Sequence, residues 1–176
     1  MLAKNRLRFY RQLCAPVIVL SGEIEYRLTE AEDFPWESQP MPQHNAVYRQ
    51  RFADGEQALI GSSGGEIVFI AWVERKSLRI DELAWRWNLQ DAEAVVYDVV
   101  TMDAWRGRGI YPAALRRLCG LLAEDGIRHL WIYAEEENSS SLRGIEKALF
   151  EYRGSITAKK IFGMTLRQGT VKGVNA

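Results

Sequence analysis

The chain has 176 residues, 47% of them hydrophobic and 26% charged, with 23 Lys and Arg balancing 23 Asp and Glu. This length suits one domain with a substantial core, and the composition is that of an ordinary globular protein rather than a disordered or membrane protein. The even charge balance argues against nucleic acid or an anionic membrane surface as a partner, so neither is expected.

The number of cysteines and the length of the apolar runs exclude further classes of protein. Cys14 and Cys119 are too few for a disulfide framework or a zinc site, so no metal is expected. No stretch approaches the ~20 apolar residues of a membrane span. The apolar run at residues 15–20 is shorter than a secretory signal requires, and we therefore expect a cytoplasmic protein.

Residues 1–24 are predicted to form an N-terminal extension. Its segment 2–14 carries four basic residues and predicts a short helix that Pro16 ends. Residues 17–20 predict a peripheral strand. Beyond the extension, Thr29 has Glu32 three positions later, a pair that predicts the capping box of a further helix.

The next part of the chain is predicted to be rich in β-structure. Residues 44–52 suit a short helix, and the runs 57–61 and 66–73 flank Ser-Ser-Gly-Gly, which predicts a hairpin. Residues 78–89 form a further extended or short helical piece.

The second half alternates strands with helices. The near-continuous apolar run 95–102 predicts a central strand, and a helix with Pro112 in its first turn follows. Residues 129–135 predict the next strand and 139–150 the next helix. Residues 154–167 predict a final strand or hairpin before a tail at 168–176, so residues 25–167 predict a single mixed α/β (α+β) domain.

The basic loop between that central strand and its helix reads Arg-Gly-Arg-Gly at residues 106–109. A helix that begins directly after such a loop presents unpaired backbone N–H groups, which bind phosphate oxygens. Glycines allow a sharp turn, and arginines suit phosphate geometry. The loop predicts a phosphate site, and an ordinary strand-to-helix turn is the alternative.

Two segments resemble signatures of the GCN5-related N-acetyltransferase (GNAT) superfamily. Residues 106–110, Arg-Gly-Arg-Gly-Ile, are similar to its acyl-CoA pyrophosphate signature. Residues 138–150 are similar to its Asn-x-x-Ser-Leu-Arg-x-Ile-Glu-Lys-x-Gly-Phe pattern. The resemblance spans about residues 25–166. It implies a mixed central sheet of about six to seven strands with helices on both faces.

The resemblance also implies acetyl-CoA as the acyl donor, bound where two parallel strands separate. The implied cofactor-binding residues are Val99, Val100 and Thr101 for the pantetheine arm, Arg106, Gly107, Arg108, Gly109, Ile110 and Tyr111 for the pyrophosphate, and Asn138, again for the pantetheine arm. Tyr111 stands where the family usually has Gly or Ala. Asn138 is equally compatible with a plain helix cap.

The implied reaction is direct attack of a primary amine on the thioester, which needs a proton acceptor and stabilisation of an oxyanion. Many members place a catalytic Tyr where this chain has Ile145. Period-two alternation puts Trp131, Tyr133 and Glu135 on one strand face. The candidate catalytic residues are Tyr133, Glu135 and Asp98. If Asp98 is buried on its central strand it needs a partner, which makes it either a structural hydrogen-bonding group or a base with a shifted pKa.

Trp85, Trp87, Asp81 and Glu82 lie where relatives vary their acceptor pocket. An amine acceptor is cationic before it loses a proton, so acidic and aromatic walls would suit it. The acceptor is expected to be a small molecule or a peptide. Its identity and the oligomeric state stay open, although exposed edges of such a sheet often pair across a homodimer.

Two other functions remain open. A CoA-binding or interaction module without catalysis would explain the missing Tyr and the Leu149 that replaces the family's Gly. A dinucleotide-binding enzyme would also place Gly107-x-Gly109 between a strand and a helix, although Pro112 occupies its third glycine position.

Overall fold

The computed structural model describes residues 4–16, 22–161 and 164–174. The strands in these ranges are β1 (Lys4–Leu13), β2 (Glu25–Thr29), β3 (Gln57–Ser63), β4 (Glu66–Glu74), β5 (Ser77–Ile80), β6 (Trp85–Asn88), β7 (Glu93–Thr101), β8 (His129–Glu135), β9 (Glu151–Ile161) and β10 (Met164–Val171). The α-helices are α1 (Asn45–Ala53), α2 (Ile110–Glu124) and α3 (Ser139–Lys147).

Eight of these strands form one sheet, in the order β2–β3–β4–β7–β8–β1–β9–β10, while β5 and β6 form a separate hairpin. Every neighbouring pair in the large sheet is antiparallel except β7 and β8. The mixed α+β fold is therefore confirmed. The sheet is wider than the six to seven strands expected from the sequence.

The first described segment explains this additional width. Residues 4–13 form a strand between β8 and β9, so the predicted short helix is wrong. The decisive pattern is the alternation of Leu7 and Phe9 with Arg6 and Arg8, which suits a strand rather than a helix. Leu7 and Phe9 are buried in the core, and both arginines pair with Glu136.

Different elements cover the two faces of the sheet. On one face, α2 and α3 pack against alternate residues of the central strands, among them Val96 and Ile132. On the other face, the β5–β6 hairpin packs over Phe9 and Trp131, and α1 packs over Trp72. Between α1 and the hairpin, the centre of this second face is covered by neither element.

Several local predictions differ from the structure. Thr29 ends β2 and its hydroxyl donates to the Ala58 carbonyl at 3.2 Å, so it caps no helix. The predicted tail is shorter, because β10 continues to Val171. The predicted strand at 17–20 lies outside the described residues. In the described ranges, no helix combines the length and apolar character that a membrane span requires.

Candidate active site

The basic loop after β7 turns sharply at two glycines. Gly107 has φ 76° and Gly109 has φ 75°, both in the left-handed region that residues with a Cβ rarely adopt. Gly109 is the residue before the first turn of α2. The two glycines therefore let the chain leave β7 and start a helix within a few residues.

This turn leaves a run of backbone donors free. Among the described residues, no backbone carbonyl accepts a hydrogen bond from the N–H groups of residues 107–111. The first N–H of α2 with a helical partner is that of Ala113, which donates to the Gly109 carbonyl at 3.2 Å. Pro112 has no N–H to offer. The N-terminus of α2 is thus a seat for anionic oxygens.

The two arginines of the loop lie in different environments. The Arg106 Nη2 atom is 2.9 Å from an Asp103 carboxylate oxygen, and its Nε donates to the Thr101 carbonyl at 3.1 Å. The Arg108 guanidinium lies over the Trp105 ring, 4.7 Å from its centroid. Of the two, Arg106 lines the adjoining cleft and Arg108 does not.

The cleft has a volume of about 560 Å³ and runs from β7 across the start of α2 to α3. Its lining includes nine of the ten predicted cofactor-binding residues, namely Val99, Val100, Thr101, Arg106, Gly107, Gly109, Ile110, Tyr111 and Asn138. The two chain segments that carry the sequence resemblance therefore meet in one concave surface.

Asn138 acts as the cap of α3. Its Oδ1 accepts hydrogen bonds from the Ser141 N–H at 3.0 Å and from the Ser140 hydroxyl at 2.9 Å. Both bonds satisfy local groups at the helix N-terminus. The helix-cap interpretation of Asn138 is what the structure shows, and the side chain also borders the cleft.

Tyr111 fills the junction between α2 and α3. Its ring packs on Gly144, where an added Cβ would lie only 2.3 Å from the Tyr111 Cδ1 atom. The Tyr111 hydroxyl is 3.1 Å from the Ser141 hydroxyl. Burial raises the pKa of Tyr111 to about 12, so the phenol is neutral at physiological pH. The bulky residue in the first turn of α2 is accommodated by a glycine on α3.

The two parallel strands separate next to this cleft. Pairing between β7 and β8 ends at Val96 and Ile132, yet β7 continues to Thr101 and β8 to Glu135. In β7, Asp98 and Val99 together oppose the single residue Ala71 of β4, which forms a β-bulge. The bulge turns β7 away from β8 and opens a wedge in the sheet.

Asp98 lies in this bulge with φ 46°. Its carboxylate is half-exposed and pairs with Arg51 of α1, with 2.7 Å between Oδ2 and Nη1. Asp98 is therefore not buried, because the bulge turns the side chain out of the sheet. The expectation that it needs a partner is met by Arg51.

The other two predicted catalytic residues lie on β8. Tyr133 is partly buried against Phe9, with 5.7 Å between ring centroids, and Glu135 is exposed near the end of the strand. Burial, with added repulsion from Glu82 and Asp98, raises the pKa of Tyr133 above its usual value. Tyr133 therefore keeps its proton at neutral pH.

Sequence reasoning missed two charged residues near the wedge. Arg51, besides pairing with Asp98, lies over the rings of Trp72 and Tyr97, 5.0 and 4.9 Å from their centroids. Glu56, just before β3, accepts a hydrogen bond from the Tyr97 hydroxyl. No motif marks Arg51 or Glu56, because only the folding of α1 and β3 onto β7 brings them there.

The predicted acceptor residues are divided between core and surface. Trp87 is 1% exposed and packs edge-on against Trp131, so it belongs to the core rather than to an open wall. Trp85 stacks on Trp87 with 5.8 Å between centroids and is only partly buried. Asp81 and Glu82 are exposed in the turn between β5 and β6.

This geometry also bears on the dinucleotide alternative. A doubly wound dinucleotide-binding fold needs a succession of parallel strands. In the described part of the chain, β7 and β8 are the only parallel pair, and β1 follows β8 in antiparallel orientation. The fold therefore disagrees with that alternative.

Several solved structures are similar to this chain in fold. One is a GCN5-related N-acetyltransferase from Sphaerobacter thermophilus, with TM-score 0.57, 15% identity and coverage of 89% of this chain and 51% of that one. The chain therefore has the GNAT fold. A GNAT-family acetyltransferase from Novosphingobium aromaticivorans is similar to this chain with TM-score 0.58, 17% identity and coverage of 90% and 65%.

A third GNAT-like structure is the ribosomal-protein-S18-alanine N-acetyltransferase of Escherichia coli, with TM-score 0.51, 15% identity and coverage of 70% of this chain and 74% of that one. The GNAT resemblance inferred from the sequence is thus confirmed at the level of the fold. The chain spans only 51% to 65% of the length of the Sphaerobacter and Novosphingobium proteins. No family model and no curated protein matches the sequence.

Proposed function

We propose that the chain is an N-acetyltransferase that uses acetyl-CoA as its acyl donor. The observation that carries this proposal is that the free N–H groups at the start of α2 and the splayed segment of β7 face one cleft. Such a helix start suits a pyrophosphate, and an open strand edge suits the amides of an extended pantetheine arm. The GNAT fold supports the same donor.

In this proposal the cleft holds the donor along its length. The backbone of residues 99–101 pairs with the pantetheine arm, and residues 106–111 cover the pyrophosphate. This places the thioester at the narrow end of the wedge, where β7 and β8 separate. Holding the thioester beside an acceptor supplies much of the rate, because both reactants lose their translational freedom before the reaction.

The acceptor is proposed to be a primary amine that enters from the face between α1 and the β5–β6 hairpin. The ammonium loses a first proton, and the resulting amine attacks the thioester carbonyl. The tetrahedral intermediate expels the CoA thiolate, and a second proton from the nitrogen passes to the thiolate as the amide forms. Asp98 or Glu135 accepts the first proton through water, and the Tyr133 hydroxyl donates a hydrogen bond to the departing sulfur.

A small amine and a peptide amine both remain acceptors of the expected kind. The Escherichia coli neighbour is named for acetylation of a ribosomal-protein alanine. That name supports an amine acceptor here without selecting between the two classes. The exposed carboxylate of Glu82 would attract either one while it is still protonated, whereas Asp81 is paired with Arg79, with 2.6 Å between Oδ1 and Nε.

A CoA-binding module without catalysis is the second candidate. The observation that favours it is Ile145, which stands where many members have a catalytic Tyr and is fully buried in the core. Ile145 belongs to the core cluster and is not among the residues that line the cleft. This chain would therefore need Tyr133 to take the place of the missing Tyr.

Calorimetric titration with acetyl-CoA tests the proposed function, with NADH as the control ligand. The double variant Arg106→Ala, Arg108→Ala is expected to bind acetyl-CoA at least about tenfold more weakly, because hydrogen bonds to charged groups contribute about 1.5–3 kcal/mol each. Arg27→Ala, Arg128→Ala is the matched control, since both arginines are exposed and outside the cleft.

The second measurement is the release of the CoA thiol when acetyl-CoA and primary amines are supplied together. Binding and release together support the transferase, whereas binding without release from any amine supports the module without catalysis. No binding of acetyl-CoA by the wild-type chain would overturn both candidates. Equal loss of affinity in the control variant would show that the loop arginines act only through overall charge.

A further inference from the structure

Two tyrosines stand at the narrow end of the wedge. Tyr97 and Tyr133 are the first residues of β7 and β8 beyond the last pair, Val96 and Ile132. Because side chains alternate along a strand, both tyrosines point away from α2 and α3, toward the face where the acceptor is proposed to enter. Their phenols are therefore placed to meet an acceptor.

The proton of the Tyr97 hydroxyl is already used in a hydrogen bond. Its O–H donates to Oε2 of Glu56 across 2.5 Å. A phenol has one O–H donor, so a hydroxyl that donates to Glu56 can only accept hydrogen bonds on its remaining side. Burial and the Glu56 hydrogen bond raise the pKa of Tyr97, which keeps that proton in place.

The hydroxyl of Tyr133 differs in this respect. Among the described residues, none makes a hydrogen bond with the Tyr133 hydroxyl, whereas the hydroxyls of Tyr97 and Tyr111 each have a partner. Its O–H is free to donate to the thioester or the leaving sulfur. The two phenols at the wedge thus have opposite hydrogen-bonding roles available to them.

Arg51 holds Tyr97 in place without adding net charge. Its guanidinium lies over the Tyr97 ring and over Trp72, which restrains the orientation of the phenol. The Arg51 charge is offset by the Asp98 carboxylate 2.7 Å away. A cationic acceptor beside Tyr97 therefore meets an Arg51 whose charge Asp98 offsets, and a Tyr97 hydroxyl whose proton is donated to Glu56.

We propose that Glu56 is a positioning residue that makes Tyr97 a hydrogen-bond acceptor, and that Tyr97 thereby selects an acceptor that donates N–H. This inference rests on the proposed transferase function and names the chemistry of its acceptor subsite. An ammonium or amine has several N–H donors and keeps one for Tyr97 while its lone pair forms. An alcohol has a single O–H, which it must give up to react, so it gains less from Tyr97.

Steady-state acetyl transfer to matched amines and alcohols tests the proposal. The pairs are phenylethylamine with phenylethanol, glycinamide with glycolamide, and glucosamine with glucose. Tyr97→Phe and Glu56→Ala are expected to raise KM for the amine about tenfold, in keeping with the loss of one hydrogen bond to a charged group, with a small change in kcat. Glu56→Ala is also expected to lower the ratio of kcat/KM for the amine to kcat/KM for the alcohol, because it frees the Tyr97 O–H to donate.

The controls are Tyr48→Phe and Glu66→Gln. Tyr48 of α1 is a buried phenol of the same aromatic cluster, and Glu66 is an exposed carboxylate at the start of β4. Both variants are expected to keep the wild-type KM. An unchanged amine KM in Tyr97→Phe, with acetyl-CoA binding intact, would overturn this inference and leave the proposed function standing.

The pH dependence of the amine KM distinguishes the proposed role of Glu56 from a purely structural one, which would not change this dependence. Burial raises the pKa of Glu56 to about 7, opposed by the Tyr97 hydrogen bond and by Arg51, while Glu74 and Asp54 raise it further. Below that pH a protonated Glu56 can donate to Tyr97, so the amine KM is expected to rise. Glu56→Gln should remove this inflection, and an identical inflection in that variant would contradict the proposal.

Failure of the wild type to bind acetyl-CoA, or to acetylate any of the three amines, would overturn the transferase and this inference together.

Discussion

Gly144 and Tyr111 lie against each other where α3 meets α2. The ring of Tyr111 occupies the volume that a side chain at residue 144 would need. Because the same ring lines the cleft, the packing of one residue pair also determines the shape of the proposed donor site. The unusual Tyr in the first turn of α2 is thus part of the helix–helix contact.

Gly144→Ala should therefore destabilise the chain. The added Cβ would force the Tyr111 ring to move, and such overpacking typically costs about 1–3 kcal/mol. We expect a lower midpoint in urea unfolding together with weaker binding of acetyl-CoA. The measurements are equilibrium denaturation and calorimetry on the same preparations.

A double variant separates this contact from a general effect on α3. Tyr111→Ala in the Gly144→Ala background should regain part of the lost stability, because the two substitutions act on one contact. Ser139→Ala, at an exposed position of the same helix, serves as the control. Additive effects of the Gly144 and Tyr111 substitutions would show that the two residues do not interact.

The bulge in β7 connects local backbone geometry with the site. It inserts one residue opposite Ala71 and places Asp98 in the left-handed region. This local change turns β7 away from β8, so the wedge and the exposed carboxylate have a common origin. The bulge is also where Arg51 of α1 is attached to the sheet.

Substitutions at Asp98 test the bulge as an element. Asp98→Val should lose about 1–3 kcal/mol of unfolding free energy, because a β-branched residue is strained at positive φ. Asp98→Asn and Asp98→Gly should stay close to the wild type, since both tolerate this backbone and the ion pair with Arg51 is partly exposed. Urea unfolding of the three variants provides the comparison.

Acetyl-CoA affinity of the same variants links the bulge to the cleft. The Val variant is expected to bind more weakly than the Asn and Gly variants if the strained residue closes the wedge. Equal stability of all three variants would show that the left-handed conformation at Asp98 is not needed to form the bulge.

Over the whole molecule, β1 joins the β9–β10 pair to the other five strands of the large sheet. It pairs with β8 on one side and β9 on the other, so the first described residues lie beside the centre of the fold. Phe9 is fully buried among Trp85, Trp87 and Tyr133. The strand therefore supports the face on which the acceptor is proposed to bind.

Phe9→Ala should cost about 3–5 kcal/mol, in the range for removal of a buried aromatic side chain. Leu13→Ala in the same strand should change stability by less than about 0.5 kcal/mol, because exposed positions have small effects. Leu13 is 63% exposed, which makes it the matched control. Thermal or urea unfolding measures both, and similar losses would contradict the central position of β1.

The sequence by itself was sufficient for the second half of the fold. The continuous apolar run of β7 and the periodic stripe of α2 are local patterns, and β8 and α3 follow with boundaries close to those expected. The loop at 106–109 was also predictable, because glycines and arginines act there through their own backbone and charge. Nine of the ten predicted donor-site residues line the cleft, and Arg108 is the exception.

Only the tertiary structure decided the rest. The four basic residues near the start obscured the alternation of β1, whose place between β8 and β9 depends on strands more than a hundred residues away. The bulge at Asp98, the burial of Trp87 and the partnership of Glu56 with Tyr97 depend equally on distant segments. Local patterns specify which elements form, whereas the side chains that meet across them are determined by how those elements pack.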